Sequence, residues 1–174
     1  NLENIACSAL VGILSGASIE SIQSAVRAFK GLEHRLELVR TLDGIAYYDD
    51  SFSTVPETAI AAIQSFKQPL ILIVGGSEKR SDYTELGKEI TQSNIRALIV
   101  IGDMTERIVA AARQAGYTGD LLCGLKTMRD IVKTSQKQAK TGDVVLLSPA
   151  CASFDMYKNY KERGNIFKHE VSIL

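Results

Sequence analysis

The sequence predicts an α/β fold, a doubly wound and mostly parallel sheet with helices on both faces. Apolar runs typical of buried strands, Leu70–Val74, Ala97–Ile101 and Val144–Leu147, alternate with segments of helical periodicity. Glycine follows the first two runs directly. Strands that alternate with helices of this length are typical of βαβ units, whose right-handed crossovers place helices on both faces of a sheet.

The first part of the chain predicts two helices and no strand. Residues 2–14 carry apolar side chains at helical spacing, and Ser18 is a candidate N-cap for a second helix that Gly31 ends. Two helices without a sheet predict the end of another domain, and the chain does not begin with methionine. We therefore expect a segment of a longer protein, with one domain ending at residue 33 and a second spanning 34–174.

The second domain is expected to begin with a hairpin, Leu36–Leu42 and Ile45–Tyr48, because Asp43-Gly44 between them is a strong turn signal. Proline at position 56 favours a helix start. The remaining predicted elements are helix 57–66, strand 70–74, helix 83–93, strand 97–101, helix 105–115, strand 120–123, helix 128–139, strand 144–147 and a terminal helical region soon after residue 153.

Composition narrows the classes of partner. The 174 residues are 45% hydrophobic and 23% charged, with 20 basic and 20 acidic side chains. Because the positive and negative charges balance, no net electrostatic field would attract the protein to nucleic acid or to an acidic membrane surface. Three scattered cysteines suit neither a disulfide framework nor a metal site. With no long apolar run and no signal peptide, we expect a cytoplasmic protein that does not bind a membrane. We also expect a monomer that binds no nucleic acid, and no metal site in this chain.

The strand ends carry the candidate ligand loops. Small residues at 150–153 follow the last apolar strand, and we expect a helix to begin directly after them. Free backbone N–H groups at the start of that helix would suit a small anionic ligand. The Gly75–Arg80 loop is glycine-rich and basic; a ligand loop and a plain turn with solvated charges both remain open. At Gly102-Asp103 a simple turn is favoured.

Asp49, Asp50 and the hydroxyls up to Thr54 could hold a magnesium–phosphate group or a ligand carboxylate. The alternative is that Ser53 or Thr54 caps the following helix.

Other candidates have structural alternatives. His34 could be structural, whereas Arg35 could bind phosphate or form a surface ion pair. Cys151 is expected to be a small buried side chain, and Ser153 to hydrogen-bond a ligand rather than act as a nucleophile. Tyr157 and Tyr160, three apart on the expected last helix, favour core packing.

Three stretches resemble the Mur ligases, ATP-dependent amide ligases of peptidoglycan synthesis. Gly31–Glu37 resembles the family's Gly-Leu-Pro-His-Arg-x-Glu junction, and Asp49–Pro56 its Asn-Asp-Ser-Lys-Ala-Thr-Asn type segment. Leu147–Phe167 resembles Leu-Ser-Pro-Ala-Cys-Ala-Ser-x-Asp-x-Phe-x-Asn-Phe-x-x-Arg-Gly-x-x-Phe, a long motif that points to the member adding D-glutamate.

The resemblance implies a reaction and a domain plan. ATP activates the carboxylate of UDP-N-acetylmuramoyl-L-alanine as an acyl phosphate, which the amine of D-glutamate attacks. Residues 1–33 would be the last helices of the central ATPase domain and 34–174 the C-terminal domain. ATP and Mg²⁺ would be bound mainly by the central domain. Because the chain has no Gly-x-x-Gly-Lys-Thr/Ser loop, it is not expected to catalyse ligation alone.

The resemblance also implies site residues. ATP contacts map to Asn4, Arg35 and Asp50. D-Glutamate contacts map to Thr54, Lys79, Ser153, Phe154 and Tyr160. A ligand with two carboxylates favours a cation together with hydroxyl and amide donors, which this set supplies.

The chain departs from the family pattern at two positions, where Phe52 replaces a frequent lysine and Val55 a common asparagine. Arg80 could supply the missing positive charge. Two other functions remain open: a stand-alone nucleotide-binding regulatory module and a folylpolyglutamate synthase-like ligase domain.

Overall fold

The computed structural model describes residues 2–77 and 80–174. The chain divides into two compact units, Asn1–Gly31 and Leu32–Leu174. Each is described by itself.

The first unit is the predicted helical pair, with α1 at Leu2–Leu14 and α2 at Ile19–Ala28. Ser18 is the N-cap of α2, and its hydroxyl accepts a 3.2 Å hydrogen bond from the backbone N–H of Ser21. Neither helix has a fully buried residue, because two helices cannot enclose a core.

The second unit is a six-stranded sheet in the order β1-β2-β6-β3-β4-β5. Only β1 is antiparallel, to β2, and the other neighbours are parallel. Its strands are β1 Glu37–Leu42, β2 Ile45–Asp49, β3 Leu70–Gly75, β4 Ile95–Ile101, β5 Asp120–Leu122 and β6 Val144–Leu147. Its helices are α3 Pro56–Gln64, α4 Thr84–Gln92, α5 Thr105–Gln114, α6 Met128–Gln138 and α7 Tyr160–Ser172.

Strand alternation divides the core into two layers. In β3, Leu70, Leu72 and Val74 pack with buried residues of α3, α4 and α5, whereas Ile71 and Ile73 pack with α6 and α7. All six residues of β3 are buried. The doubly wound fold predicted from the apolar runs is thereby confirmed.

The hairpin between β1 and β2 turns at Asp43 and Gly44, whose φ angles are +53° and +77°. Two consecutive left-handed residues are the requirement of a type I′ turn, which explains the Asp-Gly pair. A Cβ at Gly44 would also lie 2.6 Å from Cγ2 of Thr141, so the turn packs closely on the segment before β6.

Boundaries agree with the predicted ones to within two residues, except for the last helix. The prediction that helix starts soon after residue 153 is wrong, because α7 begins at Tyr160. The backbone N–H groups of Met156 and Tyr157 both donate to Ser153 O, and Asn159 caps α7 by accepting from Glu162 N. Tyr157 therefore lies in a loop and not on the helix.

In the part of the chain that the structure describes, no helix is both long and apolar enough to cross a membrane.

Candidate ligand site at the strand ends

Three loops meet at the carboxyl edge of the sheet, because β2, β6 and β3 are neighbouring strands. We call them the β2 loop (residues 50–55), the β3 loop (76–83, of which 76–77 and 80–83 are described) and the β6 loop (148–159). Ser148 Oγ donates to Asp50 Oδ2 at 2.7 Å and joins the β2 and β6 loops. Ser77 N donates to Ala152 O at 2.9 Å and joins the β3 and β6 loops. This edge is where ligands bind in open α/β sheets.

Arg163, on α7, lies beneath these loops with 1% of its surface exposed. Its guanidinium donates to Ser51 Oγ (2.9 Å) and Ser51 O (3.0 Å) in the β2 loop. It also donates to Cys151 O (3.1 Å) and Ala152 O (3.2 Å) in the β6 loop. All four acceptors are uncharged oxygens. Burial lowers the pKa of Arg163 to about 10, which still leaves it protonated at neutral pH.

Sequence reasoning did not single out Arg163. Its helical register was the available signal, because it lies four residues before Phe167 and therefore shares the face that Phe167 buries against the sheet. A charged residue on a buried helix face needs partners for its donors.

A second buried pair lies beside it. His34 Nδ1 lies 2.7 Å from Asp49 Oδ2, and Asp49 Oδ1 accepts from Ser51 N at 2.8 Å. Burial raises the pKa of Asp49, and the hydrogen bond with His34 opposes that rise. A Cβ at Gly164 would lie 2.3 Å from His34 Nδ1, so the pair needs glycine in the facing turn of α7.

His34, Glu37 and Asp49 bring ligand atoms within 4.8 Å of one another. Each of these side chains already has a hydrogen-bond partner within the protein. His34 pairs with Asp49, and Glu37 Oε2 accepts from His34 N at 2.8 Å. Lys168 Nζ lies 3.2 Å from the same Glu37 oxygen and supplies a cation there. The cluster thus fits a structural role for His34 better than a metal site.

The residues mapped to ATP contacts differ in exposure. Asp50 is buried, and its carboxylate accepts from Ser148 Oγ and from Leu36 N (3.1 Å). Burial raises the pKa of Asp50, against these hydrogen bonds. Arg35 is exposed, between two residues with left-handed backbone, His34 (φ +63°) and Leu36 (φ +47°). Asp50 therefore holds the backbone that presents Arg35. Asn4 is an exposed residue of α1 in the first unit.

The residues mapped to D-glutamate contacts lie on these loops. Ser153 is buried, whereas Phe154 is 72% exposed and its N–H donates to Ser77 Oγ at 3.2 Å. Tyr160, the first residue of α7, accepts from Ser51 Oγ through its carbonyl at 2.8 Å. Its ring packs edge-on against Phe52, with centroids 5.1 Å apart.

Thr54 lies in the β2 loop, just before the N-cap of α3. That N-cap is Val55, so the alternative that Ser53 or Thr54 caps the helix is wrong. The backbone N–H of Ser53 instead donates to Asp50 O at 2.8 Å. Thr54 is half-buried and makes an interaction of its own.

Lys79 lies outside the described residues, so its assignment stays a prediction. Ser77, two residues earlier, is described. It bonds to Ala152 and to Phe154, the residues on either side of Ser153. The described start of the β3 loop thus lies against the part of the β6 loop that carries Ser153.

Cys151 is fully buried, with its sulfur 3.1 Å from the Tyr83 hydroxyl. At the end of β4, Gly102 and Asp103 form the expected turn, and Asp103 N donates to Asp155 Oδ2 at 3.1 Å. The same carboxylate accepts from Met156 N, so Asp155 holds the β6 loop against this turn.

Residues 34–151 match the family model described as Mur ligase, glutamate ligase domain. The UDP-N-acetylmuramoylalanine–D-glutamate ligase of Thermoanaerobacter sp. (strain X514) is 42% identical over 174 residues, which is 100% of this chain and 38% of that protein. The chain thus spans well under half the length of this curated relative.

Two solved structures share the fold. MurC from Thermotoga maritima aligns with a TM-score of 0.72 at 14% identity, covering 99% of this chain and 38% of that one. MurF from Thermotoga maritima, in complex with ADP, aligns with a TM-score of 0.65 at 20% identity and the same coverage. Because the family model matches more than half of the sequence, the chain belongs to the Mur ligase family and contains its glutamate ligase domain.

Proposed function

We propose that this chain is the amino-acid-binding part of a longer, cytoplasmic, ATP-dependent ligase that joins D-glutamate to UDP-N-acetylmuramoyl-L-alanine. The observation that carries the proposal is that three loops meet at the carboxyl edge of the sheet. There Ser77 hydrogen-bonds Ala152 and Phe154, the two neighbours of Ser153 in the chain. The curated relative bearing that enzyme's name supports the choice of substrates.

In this proposal, the loops bind and orient the amino acid. Thr54, Ser153 and Tyr160 supply hydroxyl groups, and Lys79 supplies a cation for a carboxylate. The Phe154 N–H already donates to Ser77 Oγ, so its direct use by a ligand requires that hydrogen bond to open. Correct placement of the D-glutamate amine contributes to the rate because the reacting groups no longer need to find each other in solution.

The chemistry itself is assigned to the longer protein. A carboxylate oxygen of UDP-N-acetylmuramoyl-L-alanine attacks the γ-phosphorus of ATP, and ADP leaves. The amine of D-glutamate then attacks the acyl carbonyl, the amide forms, and phosphate and a proton leave. Residues 1–33 belong to the ATPase domain in this proposal, and that domain holds most of the contacts to ATP and Mg²⁺. Arg35 and Asn4 are assigned to the nucleotide in this proposal.

The test uses the longer protein that contains this chain. We expect ADP release that requires both UDP-N-acetylmuramoyl-L-alanine and D-glutamate, with L-glutamate, D-aspartate and L-lysine as poor replacements. The 174-residue chain alone is expected to release no ADP. Turnover of a folate with L-glutamate, and none with D-glutamate, would instead favour the folylpolyglutamate synthase-like alternative. Nucleotide binding without turnover of any amino acid would favour a regulatory module.

A single substitution tests the assignment of Lys79 to the amino-acid site. Lys79→Ala in the longer protein is expected to raise the KM for D-glutamate strongly, because a ligand carboxylate loses its cation. Lys133→Ala, an exposed lysine on α6, is the matched control and should leave that KM unchanged. A change in the KM for ATP alone would remove Lys79 from the amino-acid site.

A further inference from the structure

We infer that Arg163 is a positioning residue for the amino-acid site, because its guanidinium fixes the spacing of the β2 and β6 loops, which carry the proposed D-glutamate contacts Thr54 and Ser153. The inference rests on the proposed function for the identity of the ligand. It assigns to Arg163 no contact with that ligand, since the side chain is only 1% exposed.

The direct bonds join two of the loops. Nε and Nη2 donate to Ser51, three residues before Thr54, and Nη1 and Nη2 donate to Ala152 and Cys151, just before Ser153. One rigid, planar group therefore spans both loops. Its donors have fixed angles, so they set the direction as well as the distance between the loops.

The third loop is joined through a shared acceptor. Ala152 O accepts from Arg163 Nη1 at 3.2 Å and from Ser77 N at 2.9 Å. The chain passes close to the guanidinium at Gly76, where a Cβ would lie 3.1 Å from Nη1 and 2.2 Å from Ala152 O. Glycine at this position lets the β3 loop approach both groups.

A buried arginine at position 163 is energetically unfavourable unless its hydrogen bonds compensate for the loss of water. Burying a cation carries a large desolvation penalty, and the hydrogen-bond partners of Arg163 among the described residues include no carboxylate. An apolar side chain would avoid that penalty, but it would leave oxygens of Ser51, Cys151 and Ala152 without these donors. The buried arginine therefore fits a role in fixing the loop geometry, which an apolar side chain of similar size could not perform.

The experiment compares variants of the longer protein by steady-state kinetics. Arg163→Met keeps the length and removes the donors, and we expect the KM for D-glutamate to rise about 10-fold or more, since small displacements of binding groups have large effects. The KM for ATP should stay within about 2-fold, because Asp50, the nucleotide contact assigned to the β2 loop, is held separately by Ser148 Oγ and Leu36 N. Arg163→Lys keeps a charge without the planar fork and should resemble Arg163→Met. Arg129→Met, an exposed arginine paired with Glu170, is the matched control and should match the wild type.

Ser51→Ala keeps the inference testable should Arg163→Met fail to fold. It removes the hydroxyl that accepts from Arg163 Nε, in a small and nearly isosteric change, and should raise the KM for D-glutamate by a smaller factor. A folded Ser51→Ala and a folded Arg163→Lys that both keep the wild-type KM for D-glutamate would overturn the inference. So would parallel rises in the KM of all three substrates.

The two proposals fail differently. A wild-type protein that turns over another amino acid refutes the proposed function, and the KM for that amino acid then becomes the readout for Arg163. A wild-type protein that uses D-glutamate while Arg163 variants leave its KM unchanged refutes only the positioning role.

Discussion

The two ends of the parallel sheet are built differently. Among the described buried polar residues, eight lie at or beneath the carboxyl end: His34, Asp49, Asp50, Ser51, Ser53, Ser148, Ser153 and Arg163. The amino end has one buried acid, Asp143, which makes a two-point ion pair with Arg96 (2.6 and 3.1 Å). Buried Ser135 bonds within its own helix.

Buried polar side chains are thus concentrated at one end of the sheet and nearly absent among the described residues of the other. At the amino end, one ion pair and short turns suffice to join the strands to their connections. At the carboxyl end, hydrogen bonds hold loops that end in exposed groups such as Arg35 and Phe154. Buried polar groups are costly unless they are hydrogen-bonded, and they are concentrated at the end of the sheet where we propose that the ligand binds. The following predictions test this contrast in order of expected effect.

The largest effect is expected for Gly164→Ala. The new Cβ would lie 2.3 Å from His34 Nδ1 and 2.6 Å from Asp49 Oδ2, both of them buried. Forcing these groups apart should lower the free energy of unfolding by about 3 kcal/mol, the scale of overpacking in a core. Urea denaturation followed by circular dichroism measures it. Asn165→Ala, the exposed neighbour on α7, is the control and should change stability by less than about 0.5 kcal/mol. An equally small loss for Gly164→Ala would show that the carboxyl end of the sheet tolerates displacement of these groups.

Asp143→Asn tests the opposite end. Burial acts to raise the pKa of Asp143, but hydrogen bonds from Arg96 and Lys140 outweigh it and lower the pKa below the ordinary value. The stability it provides is therefore present above that ordinary value and is lost as the pH falls through the lowered pKa. We expect a loss of about 1–2 kcal/mol near neutral pH that shrinks in acid. A loss independent of pH in denaturant titrations would contradict this.

Asp49→Asn should show the opposite pH dependence. Burial raises the pKa of Asp49 above its ordinary value of 3.8. The native state then holds the proton more tightly than the unfolded state, so the contribution of Asp49 falls as pH rises from 3.8 through the raised value. The deficit of the variant should be larger near pH 4 than near neutral pH. Denaturant titrations at both pH values, run beside Asp143→Asn, measure the two slopes, and slopes of the same sign would refute the contrast.

The smallest effect on stability is expected for Arg35→Ala. The side chain is exposed, and among the described residues no hydrogen bond or ion pair to its guanidinium is found. Stability should change by less than about 0.5 kcal/mol. In the longer protein the KM for ATP should rise, because a cation for the nucleotide is lost. Arg113→Ala on α5 is the control for kinetics; unchanged ATP kinetics in Arg35→Ala would place Arg35 outside the site.

The core and the loop positions could be predicted from the sequence. Apolar runs such as Leu70–Val74 are too hydrophobic to lie anywhere but in a sheet covered on both faces, and glycine or proline marks where each run ends. The loop after Leu147 was placed correctly, but its length was not. Asp155 and Asn159 bond to backbone N–H groups there and delay the helix to Tyr160. Such local competition is difficult to judge from sequence, because the same side chains also suit a helix start.

What the sequence determined by itself is the succession of strands and helices, the covered sheet, the turn at Asp43-Gly44 and the positions of the loops at the edge where we propose that a ligand binds. These follow from short-range patterns of hydrophobicity and backbone preference. Only the tertiary structure decided that Arg163 lies under three loops and that Asp50 faces inward while Arg35 faces solvent. Those facts depend on hydrogen bonds between residues such as Ser51 and Arg163, which are 112 positions apart and which local sequence does not pair.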